Sequence, residues 1–125
     1  MLLAFLLMMW ASPVHASVLT VPIVTAIDYQ EIWIDKLSVC ESGASTTIKI
    51  LDTNNYYSYG LLMFQMKTWL SYGKPFGATK ENIYDEQLQR KVARSMLDAG
   101  GQGHWYHCSN RIGNYPVASS ATRNI

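Results

Sequence analysis

The densest concentration of reactive side-chain types in the chain is V-C-E-S-G-A-S-T-T, residues 39–47, where Cys40 and Glu41 stand directly before a Ser-Gly breaker. A carboxylate held among apolar neighbours resists ionisation, because burial disfavours its charged form. Such an acid can donate a proton to a glycosidic oxygen and then act as a base. The plain alternative is a solvated charge at a helix end, slightly disfavoured there by the dipole. From the local residues alone that plain reading prevails, since most Glu side chains are simply solvated. A two-carboxylate mechanism would need a partner. Asp52 is the candidate, although D-T-N-N, residues 52–55, reads first as a turn cluster. His104 and His107, beside Cys108, invite a metal reading. Zinc needs three or four ligands and no second cluster with ligand spacing exists, so neither a metal nor a cofactor is expected. No Ser/His/Asp order, phosphate-cradling Gly loop or Cys-x-x-Cys motif stands out.

Several elements must position these residues. Ile32, Trp33, Leu37 and Cys40 are spaced as one buried stripe of a helix over 28–40, stopped by Gly43. The β-branched, alternating T-T-I-K-I-L of residues 46–51, the turn cluster, and Tyr56-Tyr57 predict a small irregular hairpin. Residues 61–71 are apolar enough for a buried helix between Gly60 and Gly73, and a loop follows over 73–79. The clearest helix spans 85–99, with Leu88, Val92, Ala93, Met96 and Leu97 on one face and Gly100-Gly101 as its stop. A short H-W-Y-H-C segment follows. Trp33, Trp69 and Trp105 are expected in the core. A hairpin cannot bury every ring of Y-Y-S-Y, residues 56–59, so at least one tyrosine should be exposed, where it could serve as a sugar platform. Gly60 is either a turn residue or a point where backbone approaches a ligand closely. The whole predicts a mostly helical α+β domain with a small β-excursion.

At 125 residues the chain is long enough for one core. Ten Lys and Arg against nine Asp and Glu give a net charge of +1, which makes no electrostatic case for nucleic acid. Residues 1–16, an apolar run followed by Pro13 and Val14-His15-Ala16, read as a secretory signal peptide. No Lys or Arg precedes that run and no formal charge occurs before Asp28, so an uncleaved membrane anchor is the alternative. Residues 17–27 read as a linker, 28–116 as the folded domain and 117–125 as a frayed tail. In an exported chain, secreted, periplasmic or wall-associated, the even count of two cysteines favours one Cys40–Cys108 bond. It would close a loop of roughly 70 residues, worth about 4 kcal/mol in the chain-entropy model.

Read together, C-E-S-G at 40–43, Y-G-L-L-M-F at 59–64, Thr68-Trp69, Gln87, Val92-Ala93 and G-Q-G-H-W-Y-H-C at 101–108 stand in the order and similar spacing of a known pattern. Over about residues 36–113 the chain resembles the resuscitation-promoting-factor-like branch of the lysozyme superfamily. Through E-S-G and S-x-G-L it more loosely resembles soluble lytic transglycosylases. The resemblance implies a compact lysozyme-like fold acting, as a monomer, on the β-1,4 bond between N-acetylmuramic acid and N-acetylglucosamine in the glycan strands of peptidoglycan. It places Glu41 on the catalytic acid/base, Cys40 and Cys108 on the disulfide, and Ser58, Tyr59, Gly60 and Met63 on the segment lining the cleft. Met63 stands where the family usually has Gln, with Gln65 two places on as the nearest amide, and a thioether cannot supply an amide's hydrogen bonds. The Tyr-Asn segment of many lytic transglycosylases is echoed only by Asn114-Tyr115. Two mechanisms are implied. A lytic transglycosylase would use Glu41 alone, and a muramidase would add a second carboxylate such as Asp52. The single clear carboxylate favours the first. A fold that has kept peptidoglycan binding and lost activity is the rival from outside enzymes.

Overall fold

The computed structural model describes residues 25–117, together with 12–14, 17, 18, 20 and 22. The proposed leader therefore lies largely outside the described residues, as does the tail beyond Val117. Among the described residues no helix is long and apolar enough to cross a membrane.

Helix α1 spans Tyr29–Ser42. Asp28 caps it, its side chain accepting from the backbone of Gln30 and Glu31 at 3.1 and 3.2 Å. Gly43, at φ +63°, closes it by returning its N–H to the helix's last turn. The three-stranded antiparallel sheet follows in chain order, β1 Lys49–Leu51, β2 Tyr57–Tyr59 and β3 Phe64–Gln65. Helix α2, Met66–Gly73, runs into a 3₁₀ turn at Lys74–Phe76. Helix α3, Glu86–Asp98, is capped by Asp85, which accepts from the Leu88 N–H at 2.8 Å. A 3₁₀ turn at Gly101–Trp105 leads into α4, Tyr106–Ile112. The result is the expected mostly helical α+β fold.

One core joins these elements. Trp33, Ile34 and Leu37 of α1 meet Leu62, Phe64, Trp69, Val92, Ala93, Met96, Leu97 and Trp105. All three indoles are buried and each donates to a carbonyl: Trp33 to Gly113, Trp69 to Thr79 and Trp105 to Leu62. Their polar edge is thus satisfied inside apolar surroundings. Ile32, expected on the buried stripe, is 42 % exposed, and Ile34 takes its place. The buried face of the helix is set by Trp33, Ile34 and Leu37, while Ile32 looks outward.

The helix expected over 61–71 is a correction. Residues 61–63 form a turn, Phe64-Gln65 a strand, and only from Met66 is the chain helical. Gln89, fully buried on α3, accepts from the Leu62 N–H at 2.8 Å, while the Leu62 carbonyl accepts from Trp105 at 2.8 Å. Both polar groups of the Leu62 peptide are therefore used by core side chains rather than by a helical ladder. Met63 then takes φ +54°, which no helix interior tolerates. At the other end, the segment after Trp105 is a longer helix than H-W-Y-H-C alone suggests.

Candidate active site

The last turn of α1 sends three consecutive residues in three directions. Cys40 is bonded to Cys108 of α4, with 5.8 Å between their Cα atoms. Ser42 is buried, its Oγ 2.7 Å from the Leu61 carbonyl oxygen and 3.1 Å from that of Ser38. Glu41, between them, faces an open cavity of about 660 Å³, a size suited to a small ligand. A covalent bond on one side and a buried hydroxyl on the other fix the direction in which the Glu41 carboxyl points. Gly43 ends the helix there and keeps the carboxyl at the rim.

The Glu41 carboxyl is half-buried and makes no hydrogen bond with another described residue. Burial pushes its pKa up from the ordinary glutamate value, and the negative charge of Asp52 adds to the rise. Asp52 lines the same cavity. Its Oδ2 accepts from the Ser58 hydroxyl and, at 2.9 Å, from the Gln65 amide. Gln65 is itself held by a reciprocal amide pair with Asn54, at 3.1 and 3.2 Å. The register explains the convergence, because Ser58 stands opposite Gln65 across β2 and β3 and both project to one face. Asp52 is not the side-chain cap of its turn. That part falls to Asn54, whose Oδ1 accepts from the Tyr56 N–H at 3.1 Å.

Other walls of the cavity come from Met63, Thr68 and the stretch His104–Cys108. Ser58, Met63 and Gln65 thus line the cleft with Glu41 and Asp52. Tyr59 and Gly60 do not. Alternation sends Tyr57 and Tyr59 to the opposite face of the sheet, where the Lys49 ammonium lies 4.3 and 5.5 Å from their ring centres and Tyr84 meets Tyr59 edge-on. Gly60, at φ +72°, is buried against Gln89, and a Cβ there would come within 2.6 Å of the Gln89 amide nitrogen. Its glycine serves core packing rather than ligand approach. Asn114-Tyr115 is also remote in role, with Tyr115 buried against Trp33 and its hydroxyl donating to Asp98 at 2.7 Å.

Sequence reasoning missed Thr68 and Tyr106 as cavity residues and considered the two histidines only as metal ligands. The available signal was adjacency: His107 precedes Cys108, and Cys108 is bonded to the neighbour of Glu41. Among the described residues no group of three or more His, Cys, Asp or Glu is placed to hold a metal.

A small, mostly helical domain thus carries a three-stranded sheet and a cleft lined by two carboxylates, Glu41 and Asp52. The family model of the transglycosylase-like domain matches residues 29–108, and the chain belongs to that family. Membership supports an enzyme that cleaves glycosidic bonds, with peptidoglycan as the substrate consistent with it. Neither the curated proteins nor the solved structures searched give a match.

Proposed function

We propose that the protein is an exported enzyme that cleaves the β-1,4 bond between N-acetylmuramic acid and N-acetylglucosamine, working as a lytic transglycosylase with Glu41 as acid and then base. The observation that carries this reading is the state of Glu41. It is a carboxyl raised in pKa by burial and by Asp52, free of hydrogen-bond partners among the described residues, at the wall of a sugar-sized cavity. A protonated Glu41 gives its proton to the departing glycosidic oxygen as the bond to the muramyl C1 breaks. Positive charge gathers at that carbon, and the negative charge of Asp52 in the same cavity stabilises it. The Glu41 carboxylate then takes the proton of the muramyl 6-hydroxyl as that oxygen closes on C1. The products are a 1,6-anhydromuramyl end and a free 4-hydroxyl, with Glu41 again protonated. No cofactor enters this sequence. Ser58 and Gln65 hold Asp52, while Met63 offers a thioether surface where an amide would donate.

A hydrolytic second reading is favoured by one observation, the seating of Asp52 in the same cavity with Oδ2 tied down and Oδ1 left for a ligand. Aligned there, Asp52 would assist attack by water and yield reducing ends. Residues 1–16 are read as the export signal that brings the enzyme to the cell wall, where it is read as acting as a monomer.

Clearing of purified cell walls tests the reading. Wild-type protein should clear them and Glu41→Gln should not; equal clearing by the two removes Glu41 from catalysis. No clearing by either, with binding retained, would leave a peptidoglycan-binding protein.

A further inference from the structure

The cleft has an aromatic wall that its sequence motif does not account for. Tyr106 and His107 occupy the two variable positions between Trp105 and Cys108, and both line the cavity. Their ring centres are 3.9 Å apart at an interplanar angle of 35°. Tyr106 is 55 % exposed and His107 is exposed as well, so this tilted pair presents ring surface to solvent. His104, by contrast, is engaged edge-on by Tyr72 and Trp105, at 5.3 and 6.1 Å. The disulfide seats the pair, since His107 adjoins Cys108 and Glu41 adjoins Cys40.

The rest of the lining says what the pair would bind. Among the described residues of the cavity wall there are two carboxylates and no Lys or Arg. No Lys or Arg is therefore at hand to pair with an anionic substrate at this wall. What remains is hydrogen bonding and contact between apolar ring faces and a ligand with its own apolar face. A pyranose offers one such face of C–H groups, and aromatic rings receive it well. The tyrosine run of β2, the sequence's own choice of platform, is turned to the far side of the sheet.

We infer that Tyr106 and His107 form a sugar-stacking subsite of the cleft, binding the pyranose ring of an uncharged N-acetylated hexosamine by ring-face contact. The inference rests on the proposed glycan-cleaving function and adds to it the wall that holds the sugar.

The test uses the full chain carrying Glu41→Gln and a β-1,4-linked N-acetylglucosamine tetramer as the probe, with binding followed by calorimetry and by ring-proton shifts. Tyr106→Ala and His107→Ala should each weaken binding roughly tenfold, as expected for loss of one aromatic contact. Tyr106→Phe and His107→Phe should restore it, since stacking needs the ring and not its polar atoms. Both side chains are exposed, and an unchanged Tm certifies folding in each variant. Affinity unchanged in the alanine variants overturns the subsite. So does a loss that phenylalanine fails to restore, because a polar contact would then be responsible. If Glu41→Gln protein fails to bind the tetramer at all, the subsite falls too, whatever the wall-clearing assay shows. Tetramer binding that depends on both rings, in a protein whose wild type clears no cell wall, keeps the subsite and overturns only the enzymatic reading.

Discussion

Helix α1 carries carboxylates at both ends, and the two ends treat them in opposite ways. At its start, Asp28 and Glu31 accept from Arg94 at 2.8 and 2.9 Å, and Asp35 accepts from Arg90 at 2.8 Å. The Arg94 hydrogen bond holds the Asp28 carboxyl below its ordinary value, helped by the backbone N–H groups it caps. At its end, Glu41 has no Lys or Arg among its cavity neighbours, shares the cavity with another carboxylate and is raised. One residue class on one helix joins α1 to α3 at the N-terminus and, in the proposed function, holds a proton at the C-terminus. Placement decides which. Arginines from α3 reach only the first turns, and the disulfide and Gly43 leave the last turn at a cleft.

The largest expected effect is at the cleft end. Glu41→Gln should lower wall-cleaving activity by at least about a thousandfold, in the range lost with a general acid/base, while the protein stays folded. Its stability should move the other way. Because the Glu41 pKa is raised on folding, the ionised side chain carries a cost present above the folded pKa and absent below the unfolded value near 4.5. Thermal melts should therefore show Glu41→Gln more stable than wild type at pH 7 and equal to it below about pH 4. A uniform difference at both pH values would break the contrast between the helix ends.

Next in size is the clamp. Replacing Cys40 and Cys108 together by Ser should cost about 4 kcal/mol in denaturant unfolding, given a loop of 68 residues. Gln89→Leu should follow at about 3 kcal/mol, since it leaves the buried Leu62 N–H and the Tyr59 and Ile83 carbonyls without their partner. Asp52→Asn sharpens the comparison without touching the fold. With the neighbouring charge gone, the Glu41 pKa should fall, and the alkaline limb of the pH–rate profile should shift to lower pH. The smallest effect belongs to Arg94→Ala, read as a slightly lower Tm at pH 7. Since Asp28 is depressed on folding, its contribution is lost as pH falls below about 4, and wild type and variant should converge there.

The helices α1 and α3 were legible from apolar residues at helical spacing and from the glycines that follow, Gly43 and Gly100-Gly101, most clearly for α3. The disulfide was legible from two cysteines and an export-like leader. Residues 61–65 were not, because their apolar content suits a helix and a buried turn equally. What decides between them is Gln89 and Trp105, distant in sequence, acting on one peptide. The far wall of the cleft was hidden for a related reason. Tyr106 and His107 lie in positions with no pattern of their own, and the fold, with its Cys40–Cys108 bond, brings them to the cavity that Glu41 lines. Asp52 read as a turn residue because its partners, Ser58 and Gln65, meet it only once the strands are in register.

The central claim is that Glu41 carries the proton that cleaves the glycan strand and then closes the muramyl ring. Mass spectrometry of the muropeptides released from purified cell walls tests it most directly. The account predicts fragments ending in 1,6-anhydromuramic acid from the wild-type protein and none from Glu41→Gln. Release of the same fragments by the Glu41→Gln variant would contradict it.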